Sequence, residues 1–233
     1  MLMIKDLYCS YGEKEVLKGV QLEVEKQEVC GFVGANGAGK TTMLNTIATM
    51  IKQNKGVIKI NEIVQSDRYD YKSSFFYIQD SLYAFRGVTG KTWINYVLRL
   101  YNIQNEIKVN QLIEEYAMEN TVHEKIESYS YGMKHKLLLI IGFTISPKLL
   151  IMDEPLNGLD PKSVVMFKKH LNKYITEEKG TVLFSTHLLD VAEKICTHVA
   201  LLKNGQIIYK NRIDDVLQER SLENLYLDYD EDE

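Results

Sequence analysis

Between the apolar run Val29–Val33 and the amphipathic stretch Thr41–Met50 lie Gly34-Ala35-Asn36-Gly37-Ala38-Gly39-Lys40-Thr41, which fit G-x-x-x-x-G-K-[ST] at every position. No other feature restricts the fold as much, because the pattern needs a strand before it and a helix after it. The residue types follow from chemistry. Glycines let successive backbone N–H groups turn inward around phosphate oxygens, where a side chain would clash or demand a forbidden φ. The N-terminus of the following helix adds its dipole beneath the same charge. Lys40 can bridge β- and γ-phosphates, and the Thr41 hydroxyl can ligate Mg²⁺. Gly34 to Thr41, with Thr42 beside them, is therefore the expected cradle for a nucleoside triphosphate. The loop does not specify the reaction.

The rest of the chain agrees with an α/β domain, since short apolar runs alternate with amphipathic stretches. Further strands are expected at Leu2–Leu7, Val20–Val24, Val57–Ile60, Phe75–Ile78, Leu149–Asp153, Val182–Ser185 and Val199–Lys203. Lys26-Gln27 and Asn204-Gly205 read as hairpin-like breaks between strand pairs. From Thr92 to Ile145 only helical spacing is found, as in Trp93/Tyr96/Val97/Leu100, so a helical insertion is expected from about Gln79 to Ser146. The end of the chain, Tyr-Leu-Asp-Tyr-Asp-Glu-Asp-Glu, reads as a solvated acidic tail.

Composition narrows the classes. The chain has 233 residues, 45% apolar and 26% charged, which excludes a disordered or collagen-like polymer. Its net charge of −4 offers no basic face for duplex nucleic acid, so no nucleic-acid partner is expected. Cys9, Cys30 and Cys196 form no C-x-x-C pair and read as buried free thiols of a reducing compartment. The longest apolar run, Leu137 to Ile145, falls short of the about 20 residues a spanning helix needs. The amino terminus lacks the basic and apolar regions of an export signal, so a soluble chain is expected.

Leu149-Leu150-Ile151-Met152-Asp153-Glu154-Pro155 is an apolar run ending in two acids, which fits a strand buried between helix layers and opening on a ligand crevice. Asp153 there is expected to hold Mg²⁺, and Glu154, pointing the other way, to polarise an attacking water.

With these residues in view, the chain resembles an ATP-binding cassette ATPase from about Leu2 to Ile208. Tyr11 sits where that family places an aromatic that stacks on adenine. Gln79, ending Phe75-Phe76-Tyr77-Ile78, matches the glutamine that touches Mg²⁺ and senses the membrane partner. Tyr129-Ser130-Tyr131-Gly132-Met133-Lys134 falls at the family signature. Leu156-Asn157-Gly158-Leu159-Asp160 is similar to the inter-subunit loop, and Ser185-Thr186-His187 to the switch histidine that contacts the γ-phosphate. Asp160 followed by Pro161 also reads as an ordinary helix N-cap. The common signature is L-S-G-G-Q; here Tyr131 takes its first glycine position and Met133 its glutamine position, while Ser130 and Gly132 survive.

The resemblance implies a P-loop NTPase core with a mixed sheet, an antiparallel β subdomain and an α-helical insertion at about residues 80–146. The nucleotide-binding domain would cover residues 1–217, with 218–233 as the tail. It implies hydrolysis of ATP with Mg²⁺ held by Thr41, Gln79 and Asp153, and catalysis by Lys40, Gln79, Glu154 and His187. Each site would be composite, one subunit's catalytic residues facing Ser130 and Gly132 of a second, with Asp160 in the dimer loop. The Y-S-x-G-M-K form resembles exporter subunits for drugs, peptides and wall polymers. A separate transmembrane permease subunit is then expected to carry the cargo, with this chain at the cytoplasmic face of the cell membrane. Phe85, Arg86 and Trp93 fall where the family receives its membrane partner, so at least one of those two aromatics should be exposed. The alternatives are an importer's ATPase or a non-transport member of the family.

Overall fold

The structure, a computed structural model, describes residues 1–230. Alternating buried and exposed residues build a first, antiparallel sheet. Its strands β1 (Leu2–Tyr11) and β2 (Lys14–Val24) pair through a turn at Gly12, whose φ of 60° suits glycine. Later strands β4 (Lys55–Ile60) and β5 (Ile63–Val64) complete the order β2-β1-β4-β5. The second sheet has six strands in the order β10-β9-β3-β8-β7-β6. Its centre, β3 (Val29–Val33), β7 (Leu149–Asp153) and β8 (Thr181–Thr186), is buried throughout, as expected of parallel strands covered on both faces. Strands β6 (Phe75–Ile78) and β9 (His198–Lys203) extend it in parallel, and β10 (Gln206–Arg212) closes the edge antiparallel to β9.

Helix α1 (Lys40–Ile47) lies between the sheets. Its Met43, Leu44 and Ile47 pack with Leu2, Ile4 and Leu17 of the first sheet and with Phe32, Ile151 and Leu183 of the second. The short α2 (Arg68–Ser73) precedes β6. The other face of the six-stranded sheet carries α3 (Gly90–Leu100), α4 (Glu106–Glu115), α5 (Tyr131–Ile145), α6 (Pro161–Thr176), α7 (Leu189–Ile195), α8 (Ile213–Glu219) and α9 (Leu222–Asp230). Helix α5 is buried without interruption from Leu137 to Ile145, which explains its nearly continuous apolar run. Among the described residues no helix is long and apolar enough to cross a membrane. Lys108–Glu178 at 2.7 Å, and Glu115 with Lys169 at 2.8 Å and His170 at 2.5 Å, clasp α4 to α6 and its C-terminal end.

The α/β class, the mixed sheet, the antiparallel sheet and the helical middle segment agree with the sequence reading. Asn204-Gly205 is the β9–β10 turn, and all three cysteines are buried and free. Two readings are corrected. Lys26-Gln27 joins strands of different sheets and is no hairpin; Gln27, at φ 63°, turns the chain from one layer to the next. Residues 222–230 are helix α9 rather than solvated tail, because Leu222 and Leu225 share one face and bury it in the core. The last part of the expected tail, 231–233, lies outside the described residues.

Candidate functional site

The C-terminal ends of β3, β6, β7 and β8 meet at one edge of the parallel sheet, where such sheets form their crevice. Residues 34–39 leave β3 there and enter α1. Gly37 and Gly39 hold φ of 87° and 109°, and a Cβ on Gly37 would meet nothing within 4 Å, so the loop faces open space. Gly34 sits against the Leu202 carbonyl, where a Cβ would approach to 2.5 Å. Helix α1 has no side-chain cap and no acid in its first turn, leaving its terminal N–H groups for an anionic ligand. Lys40 is 7% exposed and donates to the carbonyls of Gly34 at 2.6 Å and Ala35 at 3.1 Å. Burial lowers its pKa, and the charges of Glu154 and Asp153 oppose that shift. Ala35, Asn36 and Thr41 are exposed, while Ala38 and Thr42 are half-buried. This loop suits a polyphosphate: room above Gly37, free helix N–H groups, and a cation folded into the cradle.

Asp153 ends β7, 3% exposed, and accepts from Ser185 Oγ at 2.5 Å; the β7–β8 register pairs these two residues. The same Ser185 Oγ accepts from the Glu154 backbone N–H at 3.0 Å. Glu154 adopts φ 48°, in the left-handed region. Its carboxylate lies 2.9 Å from His187 Nδ1. Half-buried Gln79 follows Ile78, whose register partner Met152 precedes Asp153. Lys40, Gln79, Asp153, Glu154 and His187 thus converge at one sheet edge.

From sequence Ser185 enters only as a neighbour of His187, yet its hydroxyl holds the Asp153 carboxylate and the Glu154 backbone N–H. Its signal was a polar residue closing the apolar run of β8, and only the register gives that signal meaning. Tyr11 ends β1 and is 52% exposed, on the hairpin whose Val16 and Leu17 lie against Gly39.

Ser130, Gly132 and Asp160 gather elsewhere, around the loop 154–160. Ser130 is the N-cap of α5, accepting from the Met133 N–H at 3.2 Å, while Met133 Sδ accepts from the Ser130 N–H at 3.4 Å. Capping uses the hydroxyl as acceptor and leaves its proton for another partner. Gly132 lies against the Gly158 carbonyl with no room for a Cβ. Asp160 caps α6 through the Ser163 N–H at 2.9 Å and pairs with Lys136 at 2.6 Å; these contacts hold its carboxyl down at about 2. The N-cap reading of Asp160-Pro161 therefore stands. Phe85 is 65% exposed, as expected of one of the two aromatics, and its ring centroid lies 5.8 Å from Trp93 and 6.2 Å from Tyr96.

Residues 17–157 match the ABC transporter family. The chain is 30% identical to the ABC-type transporter ATP-binding protein EcsA of Bacillus subtilis (strain 168), over 98% of this chain and 96% of the relative. It superimposes on an ATP-binding subunit of an ABC transporter with TM-score 0.92 and 29% identity, covering 98% of each chain. A dimeric bacterial ABC transporter cassette, MJ0796, shares the fold with TM-score 0.81 at 21% identity, over 91% of this chain and 99% of that one. Sequence, fold and the phosphate-loop edge agree: the chain belongs to the ABC transporter family, as an ATP-binding subunit that hydrolyses ATP.

Proposed function

We propose that this subunit powers export through a separate transmembrane permease, pairing with a second nucleotide-binding subunit, most simply another copy of itself. The observation that carries the catalytic part is the Ser185 hydroxyl, which donates to the Asp153 carboxylate and accepts from the Glu154 backbone N–H, with the charges of both acids acting on Lys40. Residues 34–42 cradle the triphosphate of ATP, with Tyr11 offered to the adenine. Thr41, Gln79 and Asp153 would hold Mg²⁺, which when bound neutralises charge on the phosphates. Glu154 takes the proton of the attacking water as its oxygen bonds to the γ-phosphorus and the bond to ADP breaks. His187 holds the Glu154 carboxylate in orientation, as their 2.9 Å contact allows. Ser130 and Gly132 approach the γ-phosphate of the other subunit, and Asp160 lies in the loop between subunits. The export direction rests on the Y-S-x-G-M-K signature.

Exposed Phe85 and Tyr96, with half-buried Trp93 between them and the core, form the surface offered to the permease, at the cytoplasmic face of the membrane. Chain purified from detergent-solubilised membranes should carry an integral membrane protein with it. Phe85→Asp should release that protein while ATP affinity stays within about twofold of wild type, since an interface anchor is worth about 2 kcal/mol or more. Undiminished co-purification of the Phe85→Asp chain would remove this surface from the proposal.

A further inference from the structure

A tyrosine stands where the common signature has glycine, and its contacts join parts of the chain that local sequence keeps apart. The Tyr131 hydroxyl donates to Asp80 Oδ1. Its ring packs on His135, centroids 4.8 Å apart, and over Gly158, where a Cβ would collide with it. His135 Nδ1 lies 2.8 Å from the Asn157 carbonyl, and Lys136 Nζ lies 2.6 Å from Asp160. The first turns of α5 thus grip the loop 157–160 on one side and the residue after Gln79 on the other. A glycine could make neither contact of the tyrosine. Consecutive Cα atoms are 3.8 Å apart across a trans peptide, so holding Asp80 restricts Gln79 directly. The bond to a carboxylate is charge-assisted, which makes it stronger than a neutral one.

We propose that Tyr131 is a positioning residue: its hydroxyl, through Asp80, locks the Gln79 loop to the signature helix and the inter-subunit loop, so that these three elements move as one body. The inference rests on the catalytic reading of Gln79 and Glu154 given above. It assigns to this chain an internal tie that the signature glycine could not supply.

The test compares Tyr131→Phe, Asp80→Ala, their double variant and Asp80→Asn in the full chain, with Glu154→Gln as control. Without nucleotide, amide exchange at residues 79–81 should rise about tenfold in Tyr131→Phe, because one charge-assisted bond is lost. In turnover assays kcat should fall about tenfold while KM stays within about twofold, as expected when orientation rather than binding is lost. Asp80→Ala should match Tyr131→Phe, and the double variant should be no worse than either, because both remove the same bond. Asp80→Asn keeps an acceptor oxygen and should retain most of the wild-type behaviour. Unchanged exchange in Tyr131→Phe, or multiplicative losses in the double variant, would overturn the proposal while leaving the site reading intact. Turnover surviving in Glu154→Gln would remove the site reading itself, and this tie with it.

Discussion

Glu154→Gln should bind ATP as tightly as wild type and hydrolyse it about 10²–10⁴-fold more slowly, a barrier increase of roughly 3–5 kcal/mol. The substitution isolates chemistry from folding. Glutamine keeps the shape of glutamate, an oxygen that can face His187 Nδ1, and the backbone N–H that donates to Ser185 Oγ at 3.0 Å. The left-handed backbone at φ 48° is no harder for glutamine than for glutamate. What disappears is the basic oxygen that accepts the water's proton. Since ATP then persists, any ATP-closed dimer should become long-lived and visible by size-exclusion chromatography. Steady-state phosphate release within about threefold of wild type would contradict the base role, being far short of a general base's usual contribution.

Lys40→Ala should act one step earlier, on binding. The lysine is folded into the loop, bonded to the Gly34 and Ala35 carbonyls, with Asp153 and Glu154 supplying nearby negative charge. Removing the ammonium leaves two carboxylates facing an incoming triphosphate with no cation between them. Affinity for a fluorescent ATP analogue should fall at least about tenfold, which is 1.4 kcal/mol or more. Turnover should fall with it. Unchanged affinity together with unchanged turnover would mean that the loop is not the nucleotide cradle.

What could be read from sequence was what depends on near neighbours. The strand, turn and helix around Gly34–Thr41 announce themselves through apolar runs, glycine spacing and a lysine within fourteen consecutive residues, Val29 to Thr42. The acids at 153 and 154 likewise end a run that is buried on both faces. Contacts made across the sheet were not legible. Ser185 reaches Asp153 over 32 residues, and only the β7–β8 register shows that one hydroxyl serves both acids. Tyr131 meets Asp80 over 51 residues, through a chain reversal that no local pattern encodes. Local chemistry misled where two outcomes share it. Lys26-Gln27 has the composition of a tight turn whether the chain pairs back or crosses to a second sheet, and it crosses. Glu223 and Asp228 are exposed on α9, so charge concealed a helix held by Leu222 and Leu225.

A site completed between two subunits would bring Ser130 of one to the phosphate held by Lys40 of another. It is tested most directly by mixing Lys40→Ala chains with Ser130→Arg chains, each inactive alone. A dimer of one of each has one site carrying both lesions and one carrying neither. Equal mixing should therefore restore phosphate release well above the sum of the two separate backgrounds. Glu154→Gln chains trapped with ATP first establish that the subunits pair under the same conditions. Recovery of hydrolysis, with disulfide crosslinking of Ser130→Cys to Asn36→Cys between chains, is the predicted result. A mixture that stays at the summed background, with no inter-chain crosslink although the control dimerises, would contradict the account.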